Sequence, residues 1–137
     1  MNKQELNERR AKWAGFRWQE PELIRMTSTS KGIAPITKQA GWIRPDSSMG
    51  ITPDELFKLP DFPHDETACF RWLVPKGNIR RISFAYGSNG VDCVIETYSS
   101  PRVSGWVTTE SIEESWQKTA QALCLAIDKL IDSEVKP

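Results

Sequence analysis

The apolar periodicity of the last third of the chain is the feature that most constrains its fold. Ser111 and Glu114 match the S-x-x-E pattern of an N-terminal capping box. After them, apolar residues recur at alternating intervals of four and three, the spacing of one face of an α-helix. A stripe of that width predicts a long helix whose apolar face covers a β-sheet. Its members are Trp116, Ala120, Leu123, Ile127 and Leu130, flanked by Cys124 and Ile131.

The sheet itself is predicted directly before this helix. Residues 81–86 and 91–98 alternate between apolar and polar side chains, which favours two strands with one buried face. The sequence GSNG at residues 87–90 favours a hairpin turn between them. After a second turn at residues 99–101, residues 102–108 form a third short strand. Consecutive strands joined by short turns predict an antiparallel meander.

The segment Leu59–Lys76, LPDFPHDETACFRWLVPK, predicts an extended arm that runs into a short helix. Its first two prolines favour extended backbone before them. Asp65 is a typical N-cap, able to accept a hydrogen bond from an amide two or three residues later. Pro75 is expected to stop the helix, since the residue before a proline is biased away from helical backbone. The apolar stripe of this helix would be Cys69, Phe70, Leu73 and Val74.

This segment, the sequence ALCLAIDKLID at Ala122–Asp132 and the block AKWAGF at Ala11–Phe16 together resemble the phage ABA sandwich domain family. The resemblance covers most of the chain and is loose between Glu20 and Lys58. It implies a sheet between helical layers and a phage or prophage origin, and it implies no activity or catalytic residue. With the periodicity above, we predict an α+β fold: an antiparallel sheet of three to four strands sandwiched between helices in α-β-α layers.

The length of 137 residues predicts a single domain, residues 1–137, with a loop-rich variable insertion at about 20–58. A first helix is expected at Asn2–Gly15. Within the insertion, residues 41–44 (GWIR) could pair with residues 23–26 as a small hairpin, and residues 53–57 could form one helical turn. Long loop-rich segments often carry function, so the insertion is a candidate interaction region.

The balance of charges restricts the classes of partner. Lys plus Arg and Asp plus Glu both number 18, so the formal net charge is zero. Such a balance argues against general nucleic-acid binding and against binding to anionic membranes. No apolar run approaches the ~20 residues needed to span a bilayer, and the N-terminus lacks the apolar core of a signal peptide. We therefore expect a cytoplasmic protein, in the host cytoplasm, with no membrane partner.

The cluster that most resembles a catalytic or metal centre is His64 with Asp61, Asp65 and Cys69. Because Asp65 is explained as an N-cap and Cys69 as a core residue, structural roles are favoured over a zinc site or a His-activated thiolate. We therefore predict no catalytic residue, no metal and no cofactor. The cysteines have no metal-ligand spacing and are interpreted as reduced core thiols; they are Cys69, Cys93 and Cys124.

Arginine and aromatic residues provide the candidate ligand site. Arginines from neighbouring elements could converge at one end of the sheet, where guanidinium groups bind phosphate in a bidentate manner. Aromatic side chains exposed beside them could stack on a base. A solvated basic face is the alternative interpretation. The predicted ligand-binding residues are Arg71, Arg80, Arg81, Arg102, Trp42, Trp106 and Tyr98.

These observations lead to a functional prediction with one alternative. The prediction is a non-enzymatic phage accessory protein that binds and sequesters a small anionic, nucleotide-like ligand and so antagonises host defence. The alternative is a protein-interaction module that binds a host or phage protein through the loop-rich middle segment. A homo-oligomer is expected in either case, because a sheet edge or the tryptophan-rich middle offers an interface.

Overall fold

The computed structural model describes residues 2–20, 22–38, 41–45, 59–99 and 102–135. The chain divides into two compact units, one made of Met1–Ala14 with Pro60–Pro137 and the other of Gly15–Leu59. The second unit covers nearly the same residues as the predicted insertion. In chain order the elements are α1 (Lys3–Ala14), β1 (Arg17–Gln19), β2 (Glu22–Thr29), β3 (Gly32–Lys38), β4 (Gly41–Ile43), α2 (Glu66–Ala68), β5 (Ile79–Tyr86), β6 (Gly90–Thr97), β7 (Val103–Thr108), α3 (Ile112–Gln117) and α4 (Thr119–Val135).

The α+β class is confirmed in the first unit, where helices pack against an antiparallel sheet. The sheet is the predicted meander, with strand order β5-β6-β7, and the turn between β5 and β6 is closed by a 2.9 Å hydrogen bond from Gly87 N to Gly90 O. Helix α4 packs on β6 and β7, α3 packs on β5 and β6, and α1 packs along α4. The residues at the centre of this core are fully buried: Val91, Cys93, Ile95, Leu123 and Ile127.

Helix α4 approaches the sheet most closely at Gly105. A Cβ added there would lie 2.6 Å from the backbone N of Ala126 and 2.8 Å from the Cβ of Leu125, and it would also meet the carbonyl of Ala122. Two of these neighbours are backbone atoms, which no side-chain rotation can move away. The glycine therefore lets the helix lie directly on β7. At 17 residues α4 is long, yet no described helix is both long and apolar enough to cross a membrane.

Substitution of Gly105 by Ala tests this close packing. Gly105→Ala is expected to lower the free energy of unfolding by about 1–3 kcal/mol, the usual result of overpacking a core. Gly87→Ala is the matched control, because a Cβ at Gly87 would have Gly90 O as its nearest neighbour, at 3.7 Å; it should change stability by less than about 0.5 kcal/mol. Urea unfolding followed by circular dichroism measures both, and equal losses would contradict the packing.

The predicted N-cap at Ser111 is confirmed, but the reciprocal bond of the capping box is shifted by one residue, since Glu114 Oε2 accepts from the backbone N of Glu110 at 3.0 Å. The continuous stripe predicted after it is wrong. Ser111 Oγ accepts a 3.1 Å hydrogen bond from the backbone N of Glu114. The helix then breaks at Lys118, whose backbone (φ −104°, ψ 15°) ends α3. Because the break changes the phase of the helix, Trp116, predicted on the buried stripe, is 59% exposed, and Ser115 is buried in its place.

The predicted N-cap at Asp65 is also confirmed, since its Oδ1 accepts a 3.0 Å hydrogen bond from the amide three residues later. The predicted stop at Pro75 is wrong. After α2 the helix widens into a π-helical turn, Cys69–Leu73, and then tightens into a 3-10 turn, Val74–Gly77, followed by Asn78 at φ 50°. Pro75 lies at the start of the 3-10 turn, where a proline is tolerated because that amide has no intrahelical partner.

A buried ion pair joins α1 to α4. Arg10 Nε and Nη2 donate to the two carboxylate oxygens of Asp128 at 2.8 and 2.6 Å, and the side chains are 5% and 14% exposed. Burial, the largest influence, acts to lower the pKa of Arg10; the hydrogen bond to Asp128 and nearby negative charge outweigh it, so the pKa is raised. A second pair between the same helices, Arg9 with Asp132, is more exposed, at 23% and 56%.

The two ion pairs allow a matched comparison. Asp128→Asn leaves the buried guanidinium of Arg10 without its counter-charge, so we expect a loss of about 3–5 kcal/mol in the free energy of unfolding. Asp132→Asn, at the exposed pair, should lose less than about 1 kcal/mol. Chemical denaturation of both variants measures the difference. An Asp128→Asn variant as stable as Asp132→Asn would show that the buried pair does not hold α1 in place.

The second unit contains two antiparallel strand pairs, and its predicted pairing is wrong. Residues 41–43 pair with β1 rather than with residues 23–26, and β2 pairs with β3. The chain reverses immediately after β2, where Gly32 adopts φ 122°, and this tight reversal makes β3 the nearest partner for β2. The helical turn predicted at residues 53–57 lies outside the described residues.

Candidate functional site

The sheet of the first unit has one face packed on helices and one face open to solvent, so the described helices cover one side of it and not the two sides that the predicted layers require. Cys93 and Gly105 face α4. Because side chains alternate along a strand, their neighbours in the chain point the other way. On that second side every side chain is exposed or half-buried. We call it the open face; it is formed by Arg81, Ser83, Ala85, Asp92, Val94, Glu96, Arg102, Ser104, Trp106 and Thr108.

Two arginines lie at one end of the open face. Glu96 of β6 is paired with Arg81 of β5, and continuing the β6–β7 register places Arg102 on the other side of Glu96. Tyr98 follows two residues after Glu96 and is 72% exposed. Within the described residues, neither arginine has a carboxylate within salt-bridge distance. This end therefore presents two guanidinium groups and a phenol to solvent.

Trp106, on the edge strand β7, provides an aromatic surface on the open face. A Cβ at Gly90 would lie 2.6 Å from Cη2 of Trp106, so the indole occupies the space above this glycine. The indole Nε1 donates a 3.1 Å hydrogen bond to Thr108 Oγ1. The side chain nevertheless remains 52% exposed. Contact with Gly90 and the bond to Thr108 hold the ring in one position, which leaves a preformed surface for stacking.

The backbone spacing along β7 leaves room for a small ligand between the indole and the guanidinium. Trp106 is four residues from Arg102, about 13 Å at ~3.3 Å per residue. The small side chains Ser104 and Ser83 lie between them and leave the sheet surface accessible. A base on the indole and a phosphate at the arginine would span this distance. Tyr98, by the same count, is about 20 Å from Trp106, so the two rings cannot hold the same base.

The other predicted ligand residues lie in different places. Arg80 is exposed beside Arg81, at the bulge where the β5–β6 register shifts. Arg71 is exposed on the π-helical turn, with its guanidinium carbon 4.4 Å from the ring centroid of Trp72. Trp42 belongs to the second unit, where its ring packs edge-on against Trp18 at a centroid distance of 5.5 Å. The residues that the structure gathers on the open face are Arg81, Arg102 and Trp106, while Tyr98 lies in the bend that follows β6.

Sequence reasoning missed the two residues that position Trp106. The sequence pattern indicates only a turn at Gly90 and the end of a strand at Thr108. Their second role follows from the register, which pairs Gly90 with Thr108 and so places both next to Trp106. Residues two apart on a strand lie on the same face, so a polar residue two positions after an exposed tryptophan is the signal that could have identified Thr108 as its neighbour.

A cavity of about 550 Å³ lies beside β7 within the first unit. It is bounded by α1, the 3-10 turn Phe62–His64, α4 and β7, and its lining is mainly apolar, with Leu6 and Leu125 among its members. Its buried cation, Arg10, is already bound to a carboxylate. Of the predicted ligand residues, Trp106 alone borders this cavity. The remaining cation of its lining is the exposed Lys3, so the cavity lacks the pair of arginines that the predicted site requires.

The residues of the His64 cluster have separate structural roles. His64 Nδ1 lies 3.0 Å from Asp61 Oδ2, and both side chains are largely exposed. Asp65 caps α2, while the buried Cys69 donates from Sγ to the carbonyl of Phe62 at 3.0 Å. No group of three or more His, Cys, Asp and Glu side chains in the described ranges could hold a metal ion.

The three cysteines are buried and free, in agreement with the prediction of core thiols. Cys69 Sγ lies 3.7 Å from Cys124 Sγ; this hydrogen bond and then burial raise the pKa of Cys69. Burial, followed by the charge of Asp92, raises the pKa of Cys93 to about 12. A thiol that stays protonated is a poor nucleophile, so neither cysteine is a candidate catalytic group.

Thiol chemistry tests this conclusion. In the native protein at pH 8, Cys69 and Cys93 are expected not to react with a disulfide reagent, and both should react rapidly in guanidinium chloride. Because folding raises the pKa of Cys93, the stability it contributes is complete below the unfolded-state pKa of about 8.5 and is lost as the pH rises towards about 12. Measured by urea unfolding across this pH range, the free energy of unfolding should decline less for Cys93→Ala than for the wild-type protein. Rapid native labelling of either thiol would contradict the assignment.

Comparison with protein-family models, curated proteins and solved structures gives no significant match to this chain. The resemblance to the phage ABA sandwich domain family therefore stays a prediction from the quoted segments.

Proposed function

We propose that this protein is a non-enzymatic binding protein whose ligand, a small anionic nucleotide-like molecule, lies on the open face. The observation that carries the proposal is a fixed, half-exposed Trp106 on the same face as Arg81 and Arg102. Aromatic rings stack on bases of any sequence, and guanidinium groups pair with phosphate through two parallel hydrogen bonds. The distance of about 13 Å between Trp106 and Arg102 suits a nucleoside phosphate.

The acidic residues of the open face favour a small ligand over a polymer. Asp92 is paired with Trp106 across the strands, and Glu96 lies between the two arginines. A polyanion crossing the sheet would bring further phosphates towards Asp92, whereas a single nucleotide carries its negative charge at one end, where two arginines outnumber Glu96. Asp92, next to the stacking surface, would accept hydrogen bonds from a ribose hydroxyl or an exocyclic amine.

By binding a nucleotide without turning it over, this protein would sequester the nucleotide. The phage resemblance supports a role in the host cytoplasm, where withholding a signalling nucleotide from its receptor would antagonise host defence. In this account the protein holds its ligand through stacking and charge, and it has no reaction to catalyse. Its effect would therefore depend on abundance and affinity.

Isothermal titration calorimetry against mononucleotides and cyclic nucleotides tests the proposal. Wild-type protein should bind at least one of them, and Trp106→Ala and Arg81→Ala should each weaken binding about tenfold or more, since a stacked base contributes ~1–3 kcal/mol. Trp116→Ala is the matched tryptophan control, at 59% exposure against 52% for Trp106. Arg25→Ala, an exposed arginine of the second unit, is the arginine control. Both controls should bind as wild type does.

The salt dependence of binding provides an independent check. Affinity for the anionic ligand should fall as ionic strength rises, because the arginines are exposed and screened. No binding to any nucleotide, or equal losses in the control variants, would contradict the proposal. Binding to a single-stranded oligonucleotide with no binding to mononucleotides or cyclic nucleotides would contradict the small-ligand assignment.

One observation favours the alternative, a protein-interaction module in the second unit. Met26 and Ile33 are 55% and 72% exposed, and the β2–β3 register places them as diagonal neighbours on one face of the hairpin. Exposed apolar pairs of this kind often mark protein contacts. If calorimetry shows no nucleotide binding, this hairpin becomes the better candidate, and the double substitution Met26→Lys with Ile33→Lys should remove partner binding.

A further inference from the structure

The two edges of the meander differ in how they are protected against strand pairing. The β5 edge has a bulge between Ile79 and Arg81 and exposes two consecutive arginines, both common devices against edge-to-edge association. Strand β7, with sequence VSGWVT, contains no proline or charged residue. Its register with β6 continues from Val103 to Thr108 without a bulge. The β7 edge is therefore regular and unprotected.

The hydrogen-bond pattern shows which backbone groups of β7 point outwards. Thr109 N donates to Asn89 O at 2.9 Å, so residues at odd-numbered positions of the strand bond to β6. Alternation then directs the N–H and C=O groups of Ser104, Trp106 and Thr108 away from β6. Among the described strands, none pairs with this edge. Each of these outward groups is available to a further strand.

We propose that the further strand is β7 of a second copy of this chain, paired antiparallel about a two-fold axis at Trp106. In this register Ser104 of each copy bonds to Thr108 of the other, and the two Trp106 residues bond to each other. Every outward N–H and C=O of the strand then has a partner. Arg102 and Glu110 flank the two ends of β7 and are both exposed. Continued beyond the strand, the same register would bring Arg102 of each copy next to Glu110 of the other, and by symmetry it would do so twice. Self-pairing thus gives charge complementarity as well as backbone hydrogen bonds.

The cavity beside β7 fits this arrangement. In the proposed register, Val107 of the second copy lies opposite Gly105, on the side of the sheet that faces α4. There it would meet Leu125, which is 40% exposed and lines the cavity. The second copy would thereby cover apolar surface that a monomer leaves in water. The two copies would form one continuous sheet, with the two Trp106 backbones about 5.5 Å apart.

Sedimentation equilibrium of the full chain tests this dimer. Wild-type protein should sediment at twice the chain mass, and Ser104→Pro should sediment at the chain mass, because it removes an outward N–H that the fold itself does not use. Circular dichroism and thermal unfolding establish that the variant keeps its fold. A wild-type monomer at all concentrations tested, or a folded Ser104→Pro variant that still dimerises, would overturn the proposal.

Exchanging the charges of Arg102 and Glu110 tests the register without a proline substitution. Arg102→Glu and Glu110→Arg should each raise the dimer dissociation constant about tenfold, since each places like charges opposite one another twice. The double variant should restore the constant to near the wild-type value. Glu113→Arg, an exposed acidic position on α3, should leave it unchanged. Failure of the double variant to restore dimerisation, or an equal effect of Glu113→Arg, would overturn the register.

Discussion

The direct contact of α4 with Gly105 is the constraint on which the rest of the first unit depends. Because the helix lies against the backbone of β7, the alternating residues of the sheet are divided into two sets with different functions. One set, including Cys93 and Ile95, is sealed beneath the helix. The other set must face away from it and forms the open face. The packing that provides the core therefore also provides a flat, accessible surface, on which arginines and a fixed indole come together.

Features set by local periodicity could be predicted from the sequence. The N-caps at Ser111 and Asp65 and the burial of Leu123 and Ile127 all depend on residues close together in the chain, and all are confirmed. The exposure of Trp116 could not be predicted in the same way. It depends on a break at Lys118 that no glycine or proline marks, and the phase of the helix after a break is set by its packing on the sheet.

In the candidate site, too, some features are set by residues close together in the chain and others by contacts between residues far apart in it. That Arg81 and Arg102 lie at one end of the sheet follows from the meander, which the turn residues already predict. The contact of Gly90 with Trp106 depends on the register between β6 and β7, and a shift of one residue would move the indole to the other face. The positions of Arg71 and Trp42 likewise depend on helical turns and strand pairings that the sequence pattern left open.

The most direct measurement of the central claim is a residue-resolved NMR titration of the ¹⁵N-labelled protein with the nucleotide that binds best in calorimetry. If the open face holds the ligand, the indole N–H of Trp106 and the amides of Val94 and Ser104 should shift most, with amides near Met26 and Ile33 unchanged. Shifts confined to the cavity residues around Leu6, or to the β2–β3 hairpin, would show that the ligand binds elsewhere. That result would contradict the account.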